Sequence, residues 1–280
     1  MSGSLNDLYR VVGISKQAVH QMAKRDAVFN AKVHELLAHV DALRKEHPGC
    51  GMEKMYFTLK PDFLGRDRFI ELMTQLGYRV KTAPNYQRTT YPGYLRYPNL
   101  IDGLVISSPY HLWQSDITYI RSGERFYYAV FIIDVYTREI VGHNLCDHLR
   151  SHANIKALRM ALGKHPPPQI HHSDRGVQYT SNAYTNILKE RGIQLSMGRS
   201  PQENAYAERI NRTIKEEYLY PKKINNYSLL RRTLNQSVSH YNNKRLHSEL
   251  KRLTPLQYRI NTLALEEHHR PSMTIHHWNN

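Results

Sequence analysis

The sequence predicts an α/β protein: a mixed β-sheet flanked by helices, preceded by a helical N-terminal region and followed by a basic helical tail. Three observations carry this. From Leu112 onward, three consecutive segments rich in β-branched and aromatic residues read as strands. After them helical and strand-like segments alternate, giving the order β-β-β-α-β-α-β-α, which describes a mixed sheet. Before Val80 and after Pro221 the apolar periodicity is helical.

Residues 1–28 read as a helix-turn-helix-like segment. Two apolar-periodic runs in Leu5–Arg25 flank Gly13-Ile14-Ser15; Gly13 suits the turn and Ser15 the N-cap of the next helix. That second helix would present Lys16 and Gln17 to DNA, and a plain helical hairpin is the other reading. Residues 29–85 read as a helical DNA-binding domain. Phe29–Arg44 continues as helix to His47-Pro48-Gly49, and Gly65-Arg66-Asp67-Arg68 opens a helix that Gly77 stops. Residues 86–107 form a Tyr/Arg-rich linker without periodicity, suited either to lying along nucleic acid or to packing on its own domain.

Residues 108–220 form the central domain. Leu112–Ile120 and Phe126–Val135 make a hairpin across Arg121-Ser122-Gly123-Glu124, and Glu139–Cys146 is the third strand. A helix at Asn154–Leu162, a short strand at Gln169–His172 and a helix at Ser181–Arg191 stopped by Gly192 follow. Ile193–Met197 is a strand and Asn204–Tyr218 a helix. Residues 221–280 form the basic tail, with an amphipathic helix at Leu229–Tyr241 and then the run NNKRLHSELKR.

Composition narrows function. The 280 residues carry 39 Lys+Arg against 24 Asp+Glu, a net charge of +15 and a pI near 9.7, which points to a polyanionic partner, most simply nucleic acid. The excess lies in the flanks: +5 in residues 1–107, +3 in 108–220 and +7 in 221–280. The two cysteines lack a CxxC spacing, which argues against a disulfide scaffold or structural zinc and fits a reducing compartment. No 18-residue apolar run and no signal-like N-terminus is present. The 17 histidines form no HExxH helix, and the 20 tyrosines follow no recombinase-like Arg/His constellation.

Three acids stand at element ends or inside a strand. Asp116 sits within an apolar strand, where a charge is costly unless it is paired or bound to metal. Asp174 leaves a short strand beside Gly176, a favoured place for site residues in α/β sheets. Glu208 lies on a helix with Arg212 and Lys215 four and seven residues on, along one face. Three carboxylates from separate elements suit Mg²⁺ or Mn²⁺, hard cations that keep room for water and phosphate. Two such ions would activate a hydroxyl and stabilise a leaving oxygen.

Around these acids, Trp113-Gln114-Ser115-Asp116-Ile117-Thr118-Tyr119, the run from His172 to Ser181 (HSDRGVQYTS) and Glu203-Asn204-Ala205-Tyr206-Ala207-Glu208-Arg209 resemble three signature blocks of one family. It is the OrfB-type DDE transposases of bacterial insertion sequences, with a retroviral-integrase-like core. The run Tyr241-Asn242-Asn243-Lys244-Arg245-Leu246-His247-Ser248 with Thr254-Pro255 resembles its C-terminal block. His47-Pro48-Gly49-Cys50-Gly51 and the Gly65–Tyr78 stretch resemble its helical N-terminal domain. The likeness runs from about residue 30 to residue 262.

The resemblance implies a ribonuclease-H-like fold and Mg²⁺- or Mn²⁺-dependent cleavage and strand transfer at element ends, with two ions. Carried over by position, Asp116, Asp174 and Glu208 are the catalytic and metal-binding triad. Lys16, Gln17, Arg66, Arg68, Arg212, Lys215, Lys244 and Arg245 are the expected DNA contacts. Double-stranded DNA, further copies of the chain and a protein from an upstream reading frame are the implied partners, in a bacterial cytoplasm at the nucleoid. Only 33 residues separate Asp174 from Glu208, slightly fewer than is usual in that family, so Glu203 is the rival glutamate. The alternative function is a DNA-binding regulator with an inactive, domesticated core.

Overall fold

The computed structural model of the chain describes residues 9, 13–80, 97–123, 125–148, 151–198 and 200–275. They fall into two units, one of Met1–Glu46 with Cys50–Arg79 and one of His47–Gly49 with Val80–Asn280. The first run of the expected helix-turn-helix, apart from Tyr9, lies outside the described residues. So do linker residues 86–96, Glu124 of the hairpin turn, Arg199 and His276-His277.

In the first unit, α1 (Lys16–Glu46) runs unbroken for 31 residues. It contains neither Gly nor Pro, so nothing interrupts it, and the expected boundary at 28/29 falls inside the helix. Ser15 caps it as expected, its Oγ accepting from the Ala18 N–H at 3.0 Å. Two short helices follow, α2 (Met52–Leu59) and α3 (Arg66–Gln75), and Gly77 takes the left-handed conformation, φ 81°, that ends the last turn of α3. Leu36, Val40, Met55, Phe69 and Met73 form this unit's core.

The second unit is built on a five-stranded sheet. Its strands are β2 (Leu112–Ser122), β3 (Arg125–Asp134), β4 (Ile140–Cys146), β5 (Ile170–Ser173) and β6 (Gln194–Met197), and their order is β4-β3-β2-β5-β6. β2, β3 and β4 pair antiparallel, and β5 and β6 continue in parallel from β2. This is the ribonuclease-H-like arrangement. Helices α4 (Ser151–Lys164) and α5 (Asn182–Glu190) make the connections to β5 and β6. α6 (Ala205–Thr213) follows a single 3₁₀ turn at Pro201–Asn204 and runs into a π-helical segment, Ile214–Leu219. α7 (Tyr227–Asn243) and α8 (Pro255–Leu263) complete the helices.

Alternation along β3 divides two cores. Val130 and Ile132 face Ala157, Leu158 and Ala161 of α4. Ala129, Phe131 and Ile133 face Ile210, Ile214 and Tyr218, together with Leu230, Leu234, Val238 and Tyr241 of α7. The apolar stripe of α7 therefore completes the sheet's second face, and the boundary expected at 220/221 does not separate two cores. Likewise Ile101 and Ile106, from the C-terminal part of the expected linker, are fully buried. Two-residue strands β1 (Val105–Ile106) and β7 (Met273–Thr274) pair antiparallel there. Among the described residues, no helix is long and apolar enough to cross a membrane.

β4 and α4 approach closely at Gly142. A Cβ there would stand 2.4 Å from the Ala157 carbonyl oxygen. Gly142→Ala should destabilise the protein by about 1–3 kcal/mol through forced separation of strand and helix. A denaturant melt at wild-type midpoint would contradict this packing.

Candidate active site

β2 places Gln114 and Asp116 on the face covered by α6, and each meets that helix. The Gln114 Nε2 donates to the Glu203 carbonyl at 3.1 Å, and its Oε1 accepts from the Ala207 N–H at 3.3 Å. One strand side chain thereby satisfies an otherwise orphaned donor at the start of α6. Asn204 Nδ2 donates to the Ser115 carbonyl at 3.0 Å, and Asn211 Nδ2 donates to Asp116 Oδ2 at 2.7 Å. Two residues of strand advance roughly 6.7 Å and one four-residue helical step about 6 Å, so 114 and 116 match 207 and 211. The helix is held in register along the strand.

That register gathers the three predicted carboxylates. β2 and β5 are parallel with Ser115 paired to Ser173, so Asp116 follows that pair on β2 and Asp174 follows it at the exit of β5. Asp116 is 8% exposed. Burial pushes its carboxyl well above the usual range, and the charges of Asp174 and then Glu208 push it further. Half-buried Asp174 accepts from the Gly176 N–H at 3.0 Å through Oδ1. Glu208, in the first turn of α6, lies at the exposed rim; partial desolvation and then Asp174 raise its carboxyl. Lys215 is pushed down by burial and drawn back up by Asp116.

The rival glutamate sits elsewhere. Glu203 lies in the 3₁₀ turn that precedes α6, buried, against Gly198. Gln114 grips its backbone, so the shortened loop is absorbed before α6 begins.

Asp116, Asp174 and Glu208 offer the oxygen donors that a hard divalent cation takes, without their three ligand atoms all lying within 4.8 Å of one another. All three groups offer oxygen; after burial, the charges of Asp174 and Glu208 raise the proton affinity of Asp116, and Asp174 raises that of Glu208, which favours a positive partner. The Asn211 Oδ1 is buried with no hydrogen-bond partner among the described residues, an acceptor suited to water around an ion. An integrase-type core implies dependence on a divalent metal in general.

The expected DNA contacts divide. Lys16 and Gln17 are exposed on the first turn of α1. Arg66 is exposed and pairs with Asp67 at 2.8 Å, while exposed Arg68 lies over the Phe29 ring. Arg212 is exposed and pairs with Glu216 at 3.1 Å, and Lys244 is exposed. Arg245 is a correction: it is buried and makes a two-pronged pair with Glu217, at 2.8 and 2.7 Å. Its guanidinium is committed inside the fold and does not reach phosphate.

The same Glu217 receives His47 at 2.7 Å, and the His47 ring stacks on Tyr218 at 4.5 Å. The Gly49 N–H donates to the Glu217 carbonyl at 2.7 Å. His47-Pro48-Gly49 thus packs on the π-helical segment, a role its sequence did not disclose. Glu266, His268 and His269 were also missed. Among the described residues they alone bring three ligand atoms within 4.8 Å of one another, and all three are exposed.

Two outcomes follow from the geometry. A carboxyl whose native pKa is raised loses stability as pH climbs from the usual carboxylate range through that raised value. Asp116→Asn should therefore raise the Tm of the metal-free protein at neutral pH and flatten its decline between acid and neutral pH; an unchanged pH profile would contradict the burial of an unpaired charge. Arg245→Met should destabilise by about 3 kcal/mol, since it removes the two-pronged guanidinium from the Glu217 carboxylate and leaves only His47 beside it. Lys244→Ala should leave the Tm near wild type and weaken DNA binding. Thermal melts beside DNA titrations separate the two, and equal Tm values would contradict the assignment.

The Integrase core domain family matches residues 107–202, and a second family of the same description matches residues 191–255. The chain is 33% identical over 204 residues to the insertion element IS600 uncharacterized 31 kDa protein of Shigella sonnei, across 70% of this chain and 75% of that one. It is 36% identical over 156 residues to the transposase for insertion sequence element IS629 of Shigella sonnei, across 55% and 53% of the two chains. It is 33% identical over 167 residues to the transposase for insertion sequence element IS904 of Lactococcus lactis, across 58% and 66%. With its sheet order and carboxylate cluster, the chain belongs to the insertion-sequence transposases built on an integrase core domain.

Proposed function

We propose that Asp116, Asp174 and Glu208 are the catalytic carboxylates of this transposase and hold Mg²⁺ or Mn²⁺, as two ions during reaction. The observation that carries the reading is a carboxylate buried on a central strand, whose proton affinity is raised by that burial and then by the two acids beside it. When bound, the metal supplies activation of the attacking hydroxyl and charge stabilisation at the leaving oxygen.

The chain's own groups supply the rest. Asp116 on β2 and Asp174, the residue that follows β5, form the floor of the site. Glu208 closes it from the rim of α6, and Lys215 places a cation beside Asp116 where a scissile phosphate would bring negative charge. In the first displacement a water oxygen bonds to phosphorus as the P–O3′ bond breaks, freeing a 3′-hydroxyl at the element end. In the second, that hydroxyl attacks a target phosphate and the target's 3′-oxygen leaves. Each step exchanges one phosphodiester or water oxygen for another, so no energy-carrying cofactor is needed.

Lys16, Gln17, Arg66, Arg68, Arg212 and Lys244 belong to the DNA grip in this reading. The chain acts as an oligomer on paired ends, with a partner protein from an upstream reading frame, in the bacterial cytoplasm at the nucleoid. The transposase relatives do not favour the alternative of an inactive regulator.

The test is nicking of the element's own inverted repeats in Mg²⁺, read as new 3′-hydroxyl ends. Asp116→Asn, Asp174→Asn and Glu208→Gln should each lower nicking by at least about 100-fold while DNA binding persists. Glu203→Gln should retain nicking. A dead Glu203→Gln beside an active Glu208→Gln would move the catalytic role to Glu203.

A further inference from the structure

The Asp116 carboxylate takes a hydrogen bond from the Ile117 backbone and one from a side chain. Oδ2 accepts the 2.7 Å hydrogen bond from Asn211 Nδ2. Asn211 is itself only 5% exposed, and its Oδ1 is buried with no hydrogen-bond partner among the described residues. Its neighbours on α6, Ala207 and Ile210, are buried and apolar. An apolar side chain would suit that packing, and a buried amide with an idle acceptor is costly. The amide therefore requires a reason beyond filling space.

We propose that Asn211 is a positioning residue for the metal site. Its Nδ2 fixes Oδ2 of Asp116 and leaves Oδ1 as the oxygen for a cation. Its own Oδ1 is the acceptor for a water held by that cation. The inference rests on the reading of Asp116 as a metal ligand.

Three features make an amide the fitting group. Asn211 lies three residues after Glu208 on one helix, so the docking of α6 by Gln114 and Asn204 sets both at once. A lysine or arginine at 211 would neutralise Asp116 and compete with the cation, which Lys215 already approaches from the next turn. An aspartate would add a further negative charge beside Asp116, which Asp174 and Glu208 already flank. A neutral donor orients the carboxylate without cancelling its charge, the usual part of an outer hydrogen bond around a metal ligand.

The experiment measures Mn²⁺ binding to the full chain without DNA by titration calorimetry, with a thermal melt for each variant. Binding at Asp116 is the part lost in Asp116→Asn. Asn211→Leu keeps the volume and removes the donor, and should weaken that binding by about 10–100-fold with a cooperative melt retained. Asn211→Gln keeps an amide donor and should restore affinity to nearer wild type. If the leucine variant fails to melt cooperatively, Asn211→Ala takes its place with the same expected loss. A folded Leu or Ala variant that binds Mn²⁺ like wild type, while Asp116→Asn does not, overturns the role of Asn211. Wild-type binding by Asp116→Asn overturns the metal-site reading itself.

Discussion

A carboxylate buried on the central strand governs the rest of this molecule. Asp116 is taken out of water by the sheet and by α6, and ionising it there is unfavourable. The fold does not relieve this with a neighbouring arginine. It adds Asp174 from the exit of the adjacent parallel strand and Glu208 from the covering helix, which raise the cost further. Such a cluster is held together by surrounding packing and by the hydrogen bonds of Gln114, Asn204 and Asn211 to strand and helix. Local electrostatic strain and a binding site for positive charge are here the same feature.

The π-helical segment after α6 serves two neighbourhoods. Its wider turn brings Lys215 toward Asp116 while Glu217 takes Arg245 and His47. Gly49 lies so close to this segment that a Cβ on it would stand 2.3 Å from the Glu217 Cα. The C-terminal basic block and the His-Pro-Gly turn thus both act on the helix that carries the catalytic glutamate of the proposed site. Part of the tail's positive charge is consumed in this way, so net charge overstates the number of cations that meet DNA.

Much of the central domain was legible because its strands are rich in β-branched and aromatic residues and its helices end at glycines such as Gly192. Asp116 was legible for a physical reason: a charge in an apolar strand demands an explanation. Other features lacked a local signal. A stripe of leucines on α7 says that something covers it, not that the sheet does. A basic run does not disclose that Arg245 meets a carboxylate 28 residues earlier. β1 and β7, of two residues each, are too short to show alternation, and an asparagine at 211 looks like any polar helix residue until Asp116 is found beside it.

The most direct measurement of the central claim is anomalous diffraction at the manganese edge from crystals of the full chain grown with Mn²⁺. The account predicts an anomalous peak between Asp116 and Asp174, with Glu208 turned toward it, and its loss in Asp116→Asn. Peaks confined to the exposed Glu266, His268 and His269 cluster, with none at the strand carboxylates, would contradict it.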